Sequence, residues 1–295
     1  MPVVSVVVAT RNYGHYLAGA LQSVLNQTFR DLEVIVIDDG STDDTPDVIR
    51  PFLADPRVRT QRTDGLGQSR AKNLGIQLSR APLIAFLDGD DEWLPRKLDH
   101  QIPLFENPAV GVVYCRRTLM DADGRELSTP RTEFARGRVY DHLLAQNFVC
   151  FSSVVVRRDV FESVGMFDPA LQLSIDYDLW LRVAQHYEFD FVDKPLVRYR
   201  TGHGNLSSRI AERLKTVLSI LRRSLDRRNN AEIATEKAQA GAWGSTCRTM
   251  GYVMRGEKPL TAAGWYVSAA RHDGRWRASL KAIVGGVLRR LTRLR

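Results

Sequence analysis

The sequence predicts an α/β protein: a mostly parallel twisted sheet with helices on both faces, followed by a helical C-terminal region. Three observations predict it. Continuous β-branched runs alternate with helically spaced apolar residues over residues 3–93, aspartates gather where the runs end, and beyond residue 208 the strand signals stop. Strands buried on both faces read as unbroken apolar runs, and strand–helix–strand order selects a parallel sheet.

"VVSVVVAT" (Val3–Thr10) is the first such run, and "YLAGALQSVLNQ" follows with helical spacing at Leu17, Leu21, Val24 and Leu25. "LEVIVIDDGS" is a second buried strand. A helix "TPDVIRPFL" comes next, with Pro46 suited to its first turn. A short strand "RVRTQR", a helix "GQSRAKNLGIQLS" and the strand "PLIAFLD" complete the alternation. "DADG" reads as a hairpin turn inside the stretch 116–150.

Composition fits an ordinary globular protein, with 44% hydrophobic and 26% charged residues over 295 positions. Cys115, Cys150 and Cys247 are odd in number and form no C-x-x-C pair, so they read as core thiols of a reducing compartment. The N-terminal apolar run has no basic flank and is too short to span a membrane, which predicts a cytoplasmic catalytic part. The net charge of +8 is a tail property: residues 271–295 hold eight of the 42 Lys/Arg and one of the 34 Asp/Glu, leaving 34 against 33 elsewhere.

In parallel α/β sheets ligands bind beyond the carboxyl ends of the strands. "VIVIDD" ends in Asp38 and Asp39, and "LIAFLDGDDEW" carries Asp88, Asp90 and Asp91, so two acidic clusters should meet at one sheet edge. Turn chemistry alone accounts for single strand-end aspartates. Two crowded clusters repel unless a cation lies between them, and oxygen ligands favour Mg²⁺ or Mn²⁺. Gly89 would let a bulky ligand approach. An Asp-x-Asp pair holding a divalent ion suits a nucleotide diphosphate, whose phosphate oxygens the ion bridges. G-x-x-x-x-G-K-[ST] is absent and the first strand leads into no G-x-G-x-x-G, which excludes a P-loop and argues against a dinucleotide fold.

The runs "VSVVVATRN…YLAGALQSVLNQTFRDLEVIVIDDGSTDDT", "SRAKNLGIQLSRAPLIAFLDGDDEWLPRKL" and "SSVVVRRDVFESVGMFDPALQLSIDYDLWLRVA" together resemble the inverting nucleotide-sugar glycosyltransferases of family 2, which have the GT-A fold. The resemblance covers residues 3–208. It implies a donor-binding half over 1–115, an acceptor-binding half over 116–208, and a separate helical region over 209–295. It implies that Asp39 reads the base, that Ala9, Thr10 and Arg11 line the nucleoside pocket, and that Asp88 and Asp90 touch ribose and metal, with Asp91 as support. Asp176 matches the family's catalytic base, the alternative being an N-cap of its own helix, a task that Asp178 could take instead. Ile175 stands where the family usually has an acidic residue. Lys72 stands where the family more often has Arg and would meet phosphate, as could Arg200. His203, in "TGHGN", is the candidate third metal ligand, against the reading of a solvated loop histidine.

A hydroxyl acceptor, carbohydrate or lipid-linked, and a UDP-type donor follow from the same resemblance. Two other classes compete. An aspartate-nucleophile phosphatase also places Asp-x-Asp at a strand end, but leaves Asp38 and Asp39 unexplained. A nucleic-acid-binding protein would use the basic tail, yet no aromatic-interleaved basic strand accompanies it, so no nucleic-acid partner is expected. Beyond residue 208 come "AERLKTVLSILRRSLDRR", "AGAWGSTCRTMGYVMRG" and "PLTAAGWYVSAARHDG", the last two resembling a helical hairpin. Residues 277–295 then form a basic amphipathic helix. That helix has two readings: packing on the protein, or peripheral contact with anionic membrane at its inner face.

Overall fold

A computed structural model describes residues 1–129, 133–204, 209–226, 235–255 and 258–283. The elements run in the order β1 (Val4–Thr10), α1 (Gly14–Leu25), β2 (Leu32–Asp38), α2 (Thr45–Ile49), β3 (Val58–Arg62), α3 (Gln68–Leu78), β4 (Leu83–Phe86), β5 (Glu92–Trp93), α4 (Lys97–Gln101), β6 (Val110–Met120) and β7 (Glu126–Leu127). There follow α5 (Tyr140–Ala145), β8 (Val155–Arg157), α6 (Arg158–Val164), α7 (Ile175–Val183), β9 (Glu188–Arg200), α8 (Ile210–Asp226), α9 (Glu236–Met254) and α10 (Pro259–Asp273).

The strands form one mixed sheet in the order β3-β2-β1-β4-β8-β6-β9-β5, with β7 pairing β6. β1 lies parallel to both β2 and β4, and β2 to β3. Strands β1 to β4 therefore pair in parallel with one another, as their β-branched runs predict. Antiparallel pairing begins at β8, which lies between β4 and β6. Period two assigns the faces. Val34 and Val36 of β2 join the core that takes in Leu17, Leu21 and Val24 of α1, whereas Ile35 and Ile37 pack with Ala71 of α3. Helices thus cover both faces, and α3 comes close because Gly75 is bare: a Cβ there would fall 2.3 Å from Val7 Cγ1. The "DADG" hairpin is present as β6–β7, with Gly124 at φ +82° donating its N–H to the Asp121 carbonyl. All three cysteines are buried and free.

Two compact units divide the chain, Met1–Val139 with Phe148–Gly204, and Tyr140–Asn147 with Asn205–Arg295. The first carries the sheet. The second is helical and takes in α5, whose residues the sequence reading had put in the acceptor half; there Tyr140 and Ser224 share a hydroxyl hydrogen bond at 2.7 Å. Most of the expected amphipathic helix 277–295 lies outside the described residues, of which 276–283 are helical. Among the described residues no helix is long and apolar enough to cross a membrane.

Lys97, at the start of α4, is fully buried, and its Nζ has no hydrogen-bond partner among the described residues. It stands 3.9 Å over the Trp93 ring, and burial pushes its amine down to about 8. The folded state therefore binds fewer protons than the unfolded chain between about pH 8 and the ordinary lysine value, so stability rises with pH across that window. Lys97→Met keeps the aliphatic volume and removes the desolvated charge. Thermal unfolding at pH 7 should show it more stable by about 1–2 kcal/mol, with the rise above pH 8 abolished.

Candidate active site

The carboxyl ends of β1, β2 and β4 lie side by side. Thr10 pairs with Asp38, the Asp39 N–H donates to the Thr10 carbonyl at 2.8 Å, and the Leu87 N–H donates to the Val7 carbonyl at 3.1 Å. Both acidic clusters therefore reach the same edge. Thr10 Oγ1 is buried without a partner among the described residues. A Cβ on Gly89 would fall 2.9 Å from that hydroxyl, so the glycine is required by Thr10 within the protein, where the sequence reading had given its bareness to a ligand. Ala9, next along β1, is half-buried at the same edge.

The two halves of the first cluster diverge. Asp38 turns into the protein, accepting from the Ser41 N–H at 2.9 Å and pairing with Arg62 at 2.7 Å. Asp39 organises the loop 63–67: Oδ1 accepts from Thr63 Oγ1 and the Leu66 N–H, both at 2.6 Å, and Oδ2 accepts from the Gly67 N–H at 2.8 Å. A carboxylate offers about four acceptor sites, and three of them are used here. Gly65 and Gly67 both hold φ +88°, a conformation that only glycine adopts without cost. The Arg11 guanidinium lies over the same loop, with Nη1 3.1 Å from where a Gly65 Cβ would stand. The partnership of "TDGLG" with Asp39 was missed in the sequence, although the two closely spaced glycines ahead of a helix were its visible sign.

In the second cluster each carboxylate has its own partner. Asp88 Oδ1 takes Lys72 Nζ at 2.9 Å, and that ammonium also stands 3.8 Å over Phe151. Asp90 Oδ2 meets His203 Nε2 at 2.8 Å. Burial, with Asp88 beside it, pushes the Asp90 carboxyl up to about 6. Asp91 is 1% exposed and is the internal support, accepting from Ser152 Oγ and from the Arg200 N–H. Burial, then Asp90, drive its carboxyl well above the ordinary range.

His203 is no solvated loop residue. Its side chain is 7% exposed, and its ring meets Tyr16 at 5.1 Å and Tyr13 at 5.9 Å between centroids, both edge-on. Its Nδ1 is buried with no partner among the described residues. Arg200, offered above as a phosphate partner, is engaged within the protein. Its guanidinium donates to the carbonyls of Asp90, Asp121 and Ala122, pairs with Glu92 at 3.2 Å and stacks 4.5 Å from the Tyr16 ring.

Asp176 lies in the first turn of α7, where a negative charge suits the helix dipole. The N-cap position is Ser174, at φ +54°, and Asp176 stands two residues on. Asp178 pairs with Arg182 at 3.0 Å one turn on. The loop entering α7 is tied to α3. Asn73 Nδ2 donates to the Phe167 carbonyl at 2.9 Å and Oδ1 accepts from the Phe167 N–H at 3.0 Å, while Ser69 Oγ donates to the Leu171 carbonyl at 2.9 Å. One helix thus carries Lys72 and seats the segment that leads to Asp176.

Among the described residues no three His, Cys, Asp or Glu side chains form a ready metal cage. The residues nevertheless fit a phosphate-bridging divalent ion, which takes one or two protein carboxylates and completes its shell with substrate oxygens and water. The 2.8 Å between Asp90 Oδ2 and His203 Nε2 matches neighbouring ligands on an octahedral edge, about 3 Å for bonds of ~2.1 Å. The unpartnered Thr10 hydroxyl beside Gly89 marks the adjoining space as one that a polar ligand would complete.

Residues 5–165 match the family model Glycosyl transferase family 2. The chain belongs to that family. An uncharacterised glycosyltransferase of Nostoc sp. is 33% identical over 174 residues, 56% of this chain and 54% of the relative. The chondroitin synthase of Escherichia coli is 28% identical over 214 residues, 70% of this chain and 30% of the synthase. The family 2 chain therefore spans about half, or less, of the length of these relatives. Among solved structures, S. aureus TarS 1-349 in complex with UDP-GlcNAc superposes with a TM-score of 0.63 at 16% identity, covering 97% of this chain and 92% of that one. The Pyrobaculum calidifontis mannosyltransferase PcManGT, in complex with GDP-Man and Mn2+, gives 0.62 at 17% identity, covering 98% and 87%. These likenesses place the family 2 chain in the GT-A fold.

Proposed function

We propose that the protein is a metal-dependent inverting glycosyltransferase, moving a sugar from a nucleotide-diphosphate sugar, with uridine as the leading base, to a hydroxyl of a carbohydrate or lipid-linked acceptor. The observation that carries this reading is the meeting of Asp39, Asp88, Asp90 and His203 at one sheet edge, in a chain of this family. Asp39 holds the loop 63–67 as one wall of the nucleoside pocket and presents its spare acceptor site to the base. Ala9, Thr10, Arg11 and Gly89 form the neighbouring wall. Lys72 fixes the Asp88 carboxylate, leaving the second oxygen for ribose, and keeps a positive charge near the diphosphate.

Asp90 and His203, with Asp88 behind them, would hold Mn²⁺ or Mg²⁺. Bound there, the ion neutralises charge growing on the departing diphosphate. Asp176 takes the proton from the acceptor hydroxyl as that oxygen forms its bond to the anomeric carbon and the carbon–phosphate-oxygen bond breaks. General-base help of this kind contributes ~10²–10⁴-fold. A single displacement at that carbon inverts its configuration. Two relatives' complexes support a nucleotide-sugar donor, UDP-GlcNAc in TarS and GDP-Man in PcManGT.

Titration calorimetry with UDP, with and without Mn²⁺, tests the reading: binding should require the ion and should be lost in Asp39→Ala, weakened at least ~10-fold because the loop 63–67 loses its three hydrogen bonds to the carboxylate. Absence of UDP and GDP binding in the wild type, with or without metal, would sink the reading. Product analysis by NMR showing retained anomeric configuration would sink the single displacement.

A further inference from the structure

The helical unit contains a cavity of about 480 Å³ that the donor chemistry leaves without a role. Its volume falls within the ~300–1,000 Å³ usual for small-molecule sites. The sequence pays for it in helix propensity. α9 keeps Gly244 and Gly251 in its interior, each costing about 1 kcal/mol relative to Ala. Both are needed here. A Cβ on Gly251 would stand 3.0 Å from Tyr266 Cζ, and one on Gly244 2.4 Å from an Asp273 carboxylate oxygen. The glycines thus let an α10 tyrosine and aspartate lie directly on α9.

The walls carry an unbalanced set of polar groups. Arg248 is satisfied, bonded to the Asp273 carboxylate and donating to Ser279 Oγ at 2.9 Å. Arg255 and Arg275 also line the cavity and are ion-paired with nothing among the described residues. The Arg255 guanidinium stacks 3.6 Å from the Tyr252 ring, which presets its plane. Tyr266, 3% exposed, lines the cavity as well, with its ring against Gly251. Ser245 and Thr249 add two more hydroxyls on the same stripe of α9.

The chemistry that completes such a site is anionic and hydroxylated. Guanidinium forks match carboxylate and phosphate oxygens. Tyrosine rings and hydroxyls suit the faces and edges of a pyranose. Among the described residues the lining contains no Leu, Ile, Val, Met or Phe. We propose that this cavity binds an anionic monosaccharide, its phosphate or carboxylate held by Arg255 and Arg275 and its hydroxyls by Tyr266, Ser245 and Thr249. The site stands independently of the donor reading, because every residue of it lies in the helical unit.

Isothermal titration of the full chain with glucose 1-phosphate, glucuronate, glucose and inorganic phosphate tests this. One of the two sugar acids should bind at least ~10-fold tighter than glucose or phosphate alone, and which one it is assigns the anion. Arg255→Gln combined with Arg275→Gln should weaken that binding at least ~10-fold. Tyr266→Phe, which keeps the ring and removes only the hydroxyl, should weaken it ~3-fold or more, and it serves on its own if the arginine variant unfolds by circular dichroism. Sugar acids that bind no better than glucose and phosphate overturn the proposal. So does unchanged binding in Tyr266→Phe and the folded arginine variant, which would move the binding to the donor cleft.

Discussion

Replacing Asp90 by Asn should lower sugar transfer at least ~10²-fold while the protein stays folded. The substitution keeps the side chain's shape but removes the charge that, on the proposed reading, would hold the cation, and leaving-group neutralisation is worth several kcal/mol. Calorimetry should show Mn²⁺-dependent UDP binding lost in parallel. The same carboxyl sets a pH dependence. Because burial and Asp88 raise it to about 6, the ionised, metal-holding form dominates only above that value, and metal affinity should fall as pH drops below it. The stability linkage runs the other way: between the ordinary aspartate value and about 6 the folded state binds more protons than the unfolded chain, so folding weakens as pH rises through that window. Asn at this position should be flat in that window. Near-normal turnover of Asp90→Asn, or full activity of the wild type in EDTA, contradicts the metal assignment.

Asp176→Asn should abolish transfer, by ~10²–10⁴-fold, and leave the donor's dissociation constant within about threefold. The proposed roles sit on different elements: Asp176 lies in the first turn of α7, whereas the loop 63–67 hangs on Asp39, and Asp90 meets His203. Asp176 stands two residues after the N-cap position at Ser174, and its charge there also favours the helix dipole, by below about 1 kcal/mol. Donor binding is read by calorimetry and transfer by released nucleotide. A mutant that unfolds, or that loses the donor along with the chemistry, would return Asp176 to a structural role.

The strand-end clusters were legible because parallel sheets leave a simple trace: unbroken apolar runs ending in charge. "VIVIDD" and "PLIAFLDGDD" each say where a buried strand meets solvent, and β1 joins them in register. The fates of the individual aspartates were not legible. Asp38 and Asp39 are neighbours in sequence, yet pleating sends one to Arg62 and the other to the loop 63–67. Nothing local to "YRTGH" says that the Arg200 guanidinium turns inward to three carbonyls while His203 reaches Asp90; both depend on a hundred-residue return of the chain beside the Asp-x-Asp turn. The antiparallel strand β8 escaped for a similar reason. Its three residues, Val155–Arg157, carry too short a pattern to give a direction.

The ties between α3 and the segment leading to α7 are addressed almost entirely to main-chain atoms: the carbonyl and N–H of Phe167, and the carbonyls of Leu171 and Gln172. A peptide group is the same whatever side chain it bears. Mutation at the exposed Pro169, Ala170 and Gln172 can therefore change what the segment shows to its surroundings while Asn73, Ser69 and Gln68 go on gripping it in place. Such a grip gives lineages a stretch in which sequence can drift, and new partners can be tried, without re-aiming the carboxylate that follows. Divergence among descendants of this chain should be tolerated there, and should be punished at Asn73, whose amide satisfies both sides of one peptide unit at once.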